Sequence, residues 1–177
     1  MRTIVVALAL AACTPGPSGD APHALGSSTV VARGSHVYTV NAWDGTLSHL
    51  DWRTGATLQL PVGGEPTRVA RVGADELWVT LRSERAIAVF DISDDEPRLT
   101  ARIATGAEPH GVVSTPDGSR VYVAMSQQDA IFEFDGATHE RLRTWGVMDD
   151  PRWLALHPSG RALFVAHGPD IRPGVVL

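Results

Sequence analysis

The strongest constraint on the fold is a repeat of about 40 residues that runs from Ser27 to His167. Three kinds of residue mark it. An aromatic residue recurs at spacings of 40, 44 and 42 residues, at Tyr38, Trp78, Tyr122 and Phe164. A proline recurs at spacings of 43 and 42, at Pro66, Pro109 and Pro151, and an aspartate at spacings of 40 and 44, at Asp51, Asp91 and Asp135. A period of this length indicates stacked supersecondary units.

Within each unit, short alternating apolar segments are separated by turns rich in proline, aspartate and glycine. The third unit shows this most clearly, with a strand at 120–125 after the turn Pro116-Asp117-Gly118 and another strand at 130–135. Such alternation predicts antiparallel strands joined by tight turns. The predicted strands are 29–33, 36–40, 46–52 and 56–62; 67–72, 76–81, 86–92 and 98–104; 111–114, 120–125, 130–135 and 141–146; and 153–156 and 162–167.

Four antiparallel strands per repeat are typical of a β-propeller blade, which must stack on its neighbours to bury its two faces. We therefore predict an all-β fold, a β-propeller with blades at about 27–62, 63–104, 105–146 and 147–177. The fourth unit stops early, so about three and a half blades are present, whereas closed rings usually have about four to eight. We expect the chain to be a fragment of a longer protein; the alternative is a ring completed by self-association.

The repeat motifs are Gly106-Ala107-Glu108-Pro109, Ser114-Thr115-Pro116-Asp117-Gly118, Val121-Tyr122-Val123-Ala124 and, in the first unit, Val37-Tyr38-Thr39-Val40-Asn41. They resemble the YVTN family of β-propeller repeats, which occurs in secreted and surface-layer proteins and in several periplasmic redox enzymes. Ser159 departs from the pattern, because it stands where the family has a turn aspartate. The resemblance implies a propeller and leaves the activity open, since propellers host unrelated functions.

Residues 1–12 have the features of a secretion signal. Arg2 precedes an apolar stretch at 4–10, which is far shorter than the roughly 20 residues that cross a bilayer. The stretch ends in Leu10-Ala11-Ala12-Cys13, and Cys13 is the only cysteine of the chain. This sequence resembles the lipobox of bacterial lipoproteins, in which the cysteine is acylated and the chain is cut before it. Ordinary secretion with nearby cleavage and a buried thiol are the alternatives.

The lipobox resemblance implies a signal peptide at 1–12, lipidation of Cys13, and a membrane partner through that lipid anchor. Residues 13–26 are rich in proline, glycine and serine, which predicts an extended tether. We therefore expect a periplasm-facing lipoprotein of the bacterial cell envelope. Thr14 follows the cysteine where aspartate would indicate retention in the inner membrane, and this favours the outer membrane.

Charge and cysteine content exclude some classes of function. The net charge is −5 and the sequence pI is about 5.7, which argues against a nucleic-acid partner, since such a partner requires a basic surface. A single cysteine excludes an intramolecular disulfide and any CxxC motif for haem or metal. We predict no cofactor, no metal site and no catalytic residue in this chain.

Candidate ligand-binding residues follow from propeller geometry. The loop that leads into the innermost strand and the loop between the second and third strands lie at the same end of the channel. The side chains at these positions form a candidate ligand-binding rim of Arg68, Arg82, His110, Arg152, Trp153 and His167. Its cationic groups would attract an anionic ligand or the acidic patch of a partner protein. The alternative is that these are solvated loop residues.

Three hypotheses for the function follow. The first is a non-catalytic binding or scaffold propeller of a cell-envelope lipoprotein. The second is the propeller portion of a periplasmic redox enzyme, such as a di-haem c-type peroxidase. The third is a lactonase-like hydrolase, which needs a ring of metal ligands; the positions Thr67, His110 and Arg152 fit that poorly. We favour the first.

Overall fold

A computed structural model describes residues 25–168 and 174–176. The predicted signal peptide, Cys13 and all but the last two residues of the predicted tether lie outside the described residues. The described part of the chain is built from strands and turns. No helix suited to crossing a membrane occurs among the described residues.

The strands form four antiparallel sheets of four strands each, and we call these sheets blades. Blade one contains β2 (Val30–Arg33), β3 (His36–Asn41), β4 (Thr46–Asp51) and β5 (Thr57–Pro61). Blade two contains β6 (Pro66–Val72), β7 (Glu76–Leu81), β8 (Ala86–Asp91) and β9 (Arg98–Ala104). Blade three contains β10 (Pro109–Ser114), β11 (Arg120–Met125), β12 (Ala130–Asp135) and β13 (Arg141–Gly146). Blade four contains β14 (Pro151–Leu156), β15 (Leu163–His167) and β16 (Gly174–Val176), and β1 (Leu25–Gly26) lies along β14.

The predicted all-β class and an incomplete ring are confirmed, and the described strands make four sheets of four strands where three and a half blades were predicted. Most observed strands begin and end within two residues of the predicted bounds. Blade four differs in two respects, because the short β16 adds a third strand and β1 pairs with the edge of β14. Leu25 and Gly26, which we placed at the end of the tether, therefore belong to a sheet.

Consecutive blades pack face to face, and we call each such interface a seam. The seam between blades two and three contains Trp78, Val112, Val123 and Phe132, each at most 2% exposed. Trp78 meets Phe134 edge-on, with ring centroids 5.8 Å apart. Similar clusters fill the seam between blades one and two and the seam between blades three and four. Successive side chains of a strand point to opposite faces of the blade. A blade with a neighbour on each side therefore buries the side chains of both faces.

The turn before β11 shows how the repeat sequence fixes the local structure. Asp117 accepts hydrogen bonds from the Ser119 backbone N–H (3.0 Å) and from the Thr115 and Ser119 hydroxyls. These bonds stabilise the carboxylate and lower the pKa of Asp117 to about 2. Gly118 has a φ of 70° and lies against the backbone of Gly73 in the preceding blade. A Cβ there would be 2.4 Å from the Gly73 nitrogen, so this turn requires glycine.

Candidate functional site

The six residues predicted to form the rim lie at one end of the blades. Four of them lie at the starts of β6, β10 and β14, within two residues after the repeat prolines: Arg68, His110, Arg152 and Trp153. Arg82 follows the end of β7, and His167 ends β15. Because inner strands start where second strands end, all six share this end of the molecule.

A backbone irregularity at the rim recurs in three blades. The pairing of the inner strand shifts register just after the proline, between Pro66 and Arg68, between Pro109 and Val112, and between Pro151 and Trp153. Proline has no N–H to donate to the ladder, so a bulge at this position is a natural consequence. Bulges redirect side chains at sheet ends. The repeat proline therefore determines which residues of the rim leave the regular ladder.

His110 is the most buried titratable residue of blade three at the rim, at 8% exposure. Its Nδ1 lies 3.0 Å from the carbonyl oxygen of Arg152, which can only accept, so Nδ1 carries the proton and donates. Burial, followed by the charge of Arg68, lowers the pKa of His110 to about 4. The imidazole is therefore neutral near pH 7. The indole of Trp153 packs edge-on at a centroid distance of 6.0 Å.

The backbone of His110 links blades two and three. Its carbonyl oxygen accepts hydrogen bonds from the Thr80 hydroxyl (2.8 Å) and the Thr67 hydroxyl (3.4 Å). Gly111, next in sequence, lies so close to blade four that a Cβ would be 2.5 Å from the Arg152 carbonyl oxygen. This part of the rim is held by short polar contacts across both seams.

Two of the three rim arginines are paired with carboxylates. Arg82 Nε donates to Glu108 Oε2 at 2.8 Å, and its Nη1 is 3.7 Å from Glu65 Oε1. The hydrogen bond to Glu108 is the main cause that raises the pKa of Arg82. Arg152 Nε donates to Asp150 Oδ2 at 2.8 Å. The rim therefore contains acidic as well as cationic groups, and the charges of Arg82 and Arg152 are locally compensated.

These acidic partners were not among the predicted rim residues, although the sequence contains a signal for them. An acidic residue stands directly before the repeat proline in three units, at Glu65, Glu108 and Asp150. The position recurs with the same period as the proline. A repeat position that keeps its charge indicates a ring of carboxylates at the channel mouth.

Arg68 differs from the other two arginines. Among the described residues no carboxylate lies within salt-bridge distance of its guanidinium, whose Nη1 donates to the carbonyl oxygen of Thr67 at 2.6 Å. The side chain is half-buried, and this burial lowers the pKa of Arg68. Guanidinium remains charged at any ordinary pH. The rim thus holds one partly desolvated cation that is not neutralised within the described chain.

His167 pairs with Pro151 across β14 and β15, next to Arg152. It is buried in blade four, and its Nδ1 lies 2.8 Å from the carbonyl oxygen of Asp149. The structure therefore brings Arg68, His110, Arg152 and Trp153 together and places Arg82 in an ion pair beside them. His167 lies beside Arg152, with its ring in contact with the backbone of Asp149. Across residues 25–168, no three histidine, cysteine or acidic side chains lie close enough to hold a metal ion.

Comparison with known proteins identifies the fold. No family model and no curated protein sequence matches the chain. Among solved structures, it superposes on the hydrazine synthase of Kuenenia stuttgartiensis with a TM-score of 0.74, at 22% identity, over 92% of this chain and 49% of that one. It superposes on the β-propeller domain of Myceliophteria thermophila Cps50 (Swd1) with a TM-score of 0.69, at 17% identity, over 84% and 52% of the two chains.

BamB from Moraxella catarrhalis is also similar, with a TM-score of 0.65 and 11% identity over 85% of this chain and 43% of that one. The fold is a β-propeller. The predicted propeller is therefore confirmed, although no family model supports the YVTN resemblance. The chain spans about half the length of the propeller structures it matches. Identities this low show the fold alone.

Proposed function

We propose that the chain is the ligand-binding part of a non-catalytic propeller, and that Arg68 receives an anionic group at the rim. The observation that carries this proposal is the half-buried guanidinium of Arg68, which no carboxylate of residues 25–168 reaches. Burying a cation without a partner is unfavourable, so a carboxylate or phosphate that approaches it gains a strong interaction.

The surroundings of Arg68 support binding in preference to acid–base chemistry. His110 has a pKa of about 4, so it is neutral near pH 7 and presents Nε2 as an acceptor only. Arg82 and Arg152 are paired with Glu108 and Asp150. A ligand that carries an anionic group and a neighbouring hydroxyl or N–H donor would match Arg68 and His110 together.

Anion binding is tested by calorimetric titration of the full chain with inorganic phosphate and, separately, with citrate at low salt. We expect Arg68→Gln to weaken binding by about tenfold or more, which corresponds to about 1.4 kcal/mol. Arg98→Gln is the matched control, because Arg98 lies at the start of β9 and pairs with Asp91 at 3.1 Å, away from the rim. Equal binding by wild type and Arg68→Gln would refute the role of Arg68.

We further propose that the protein is a cell-envelope lipoprotein, anchored through Cys13 and facing the periplasm, with the outer membrane preferred. The support is the sequence Leu10-Ala11-Ala12-Cys13 and the absence of any other cysteine in the chain. Metabolic labelling with a radioactive fatty acid tests this. We expect label on the wild-type chain and none on Cys13→Ser, which should also leave the membrane fraction. Equal labelling of both chains would overturn the proposal.

A further inference from the structure

The described chain enters the fold at the end opposite the rim, which we call the far face. β1 runs antiparallel to β14, with Leu25 opposite Leu156 and Gly26 opposite Ala155. Leu156 is the last residue of β14, and β14 begins at the rim. The chain then proceeds towards the rim, because the Ser27 N–H donates to the Leu154 carbonyl oxygen at 2.7 Å.

The same segment next crosses to blade two along the inner strands. Ser28 forms a bridge with Val69, and the Val69 N–H donates to the Ser28 carbonyl oxygen at 2.8 Å. Residues 25–28 therefore lie against the innermost strands of blades two and four. Whatever precedes Leu25 must join the propeller at the far face, close to its centre.

The far face carries an aromatic and cationic pair in the turn between β4 and β5. Trp52 is 60% exposed, and the Arg53 guanidinium carbon lies 5.6 Å from the centre of its ring. Tryptophan and arginine are both favoured at the level of lipid headgroups. The acidic residues Asp94, Asp95 and Glu96 share this face, which favours neutral over anionic lipids.

The length of chain before Leu25 limits how the molecule can lie on a membrane. Cys13 and Leu25 are 12 residues apart, so the chain between them spans at most about 40 Å. A bilayer at the far face is within easy reach. To place the rim on the bilayer, the same segment would have to pass four strands, about 15 Å, and then extend along a blade of about 20 Å, which together use most of that span. The tether therefore favours the far face without excluding the rim.

We propose that the far face rests on the bilayer and that the rim points away from it, open to a ligand or partner. The proposal relies on the lipid anchor at Cys13 that forms part of the proposed function. The contact surface on the protein is the far face with Trp52 and Arg53, and the partner that it contacts is a neutral lipid bilayer.

Two exposed tryptophans of blade one provide a matched test. Trp43 is fully exposed in the turn between β3 and β4 at the rim end, and Trp52 is exposed in the turn between β4 and β5 at the far face. The full chain is coupled through its single cysteine, Cys13, to a maleimide lipid in phosphatidylcholine vesicles that contain a nitroxide-headgroup lipid. Chemical coupling makes the result independent of acylation in the cell and of anion binding at Arg68.

We expect the vesicle to quench the tryptophan fluorescence of the coupled wild-type chain. Trp52→Phe should lose most of that quenching, and Trp43→Phe should retain it. Greater loss in Trp43→Phe than in Trp52→Phe would show that the rim faces the bilayer and would overturn the proposal. A coupled wild-type chain that is not quenched at all would overturn it too.

Discussion

The two outermost faces of the described propeller differ in chemistry, although both lack a neighbouring blade in the described chain. The outer face of blade four exposes Phe164 at 44%. The outer face of blade one presents Thr39, Asn41 and Ser48, where Asn41 Nδ2 donates to the Ser48 hydroxyl at 2.8 Å. Blade four exposes an aromatic ring, whereas the outer face of blade one combines these hydrogen-bonded polar groups with the apolar Val30, which pairs with Thr39 and is 48% exposed.

The repeat shows what these side chains would be in an inner blade. Phe164 occupies the repeat position of Trp78, which is fully buried between blades two and three. Thr39 and Asn41 occupy the positions of Val79 and Leu81, which are also fully buried. Blade one therefore carries polar residues at two repeat positions that are apolar and buried in blade two, whereas blade four keeps an aromatic residue at the position of Trp78.

The largest expected effect is the difference in free energy of unfolding between a substitution in a seam and one on an outer face. Trp78→Ala removes a fully buried indole and should lower the free energy of unfolding by about 3 to 5 kcal/mol. Phe164→Ala, at the equivalent position of blade four, should cost less than about 1 kcal/mol because that ring is 44% exposed. Urea unfolding followed by circular dichroism measures both, and Trp78→Phe serves if the alanine variant does not fold. Equal costs at both positions would contradict the contrast between the faces.

A second comparison tests the close contact of blades three and four at the rim. Gly111→Ala would place a Cβ 2.5 Å from the Arg152 carbonyl oxygen, and we expect a loss of about 1 to 3 kcal/mol. Gly146→Ala, at the end of β13, meets no atom within 4 Å and should be close to neutral. The same urea titration reports both values. A neutral Gly111→Ala would mean that the blades are further apart here.

A third prediction concerns pH. His110 has a pKa of about 4 in the fold and about 6.5 when unfolded, so below pH 6.5 the unfolded chain binds a proton that the folded chain does not. The free energy of unfolding should therefore fall by about 2 to 3 kcal/mol between pH 6.5 and pH 4.

His110→Asn should flatten this dependence, which unfolding measured at several pH values will reveal. Asp117, with a pKa of about 2 in the fold and about 3.9 when unfolded, loses its stabilising contribution mainly below pH 4. A wild-type slope that persists unchanged in His110→Asn would rule out His110 as its source.

The smallest expected effect lies on the polar outer face of blade one. Ser48→Ala removes one of two hydroxyls that accept from Asn41, and Thr46 Oγ1 at 3.0 Å remains. We expect a change within about 0.5 kcal/mol, as for most surface substitutions. A loss above 2 kcal/mol in thermal unfolding would indicate that this face is covered.

Strand bounds could be predicted because they depend on local signals, and the fold class because those signals repeat along the chain. The alternation of Val121 to Ala124 and the Pro116-Asp117-Gly118 turn are contained in a dozen residues. The pairing of β1 with β14 joins Leu25 to Leu156, and no local pattern records a contact across that distance in sequence.

The positions of the rim residues could be predicted from the repeat, but the ion pairs of the arginines and the protonation of His110 could not. The sequence places Arg68, Arg82 and Arg152 at the same end of the propeller and does not distinguish them. Only the folded structure shows that Arg82 pairs with Glu108 and Arg152 with Asp150. His110 was a candidate from its position alone. Its low pKa comes from burial and from Arg68 in the neighbouring blade, which only the packed structure provides.

Amide hydrogen exchange followed by mass spectrometry tests most directly whether the inner seams are buried while both outer faces meet solvent. The account predicts that β7, β8, β11 and β12, each within blades that pack on both sides, exchange slowest. Strands β3 and β4 of blade one and β14 and β15 of blade four should exchange faster. Protection of β14 and β15 equal to that of β11 and β12 would contradict the account, because the aromatic face of blade four would then be covered.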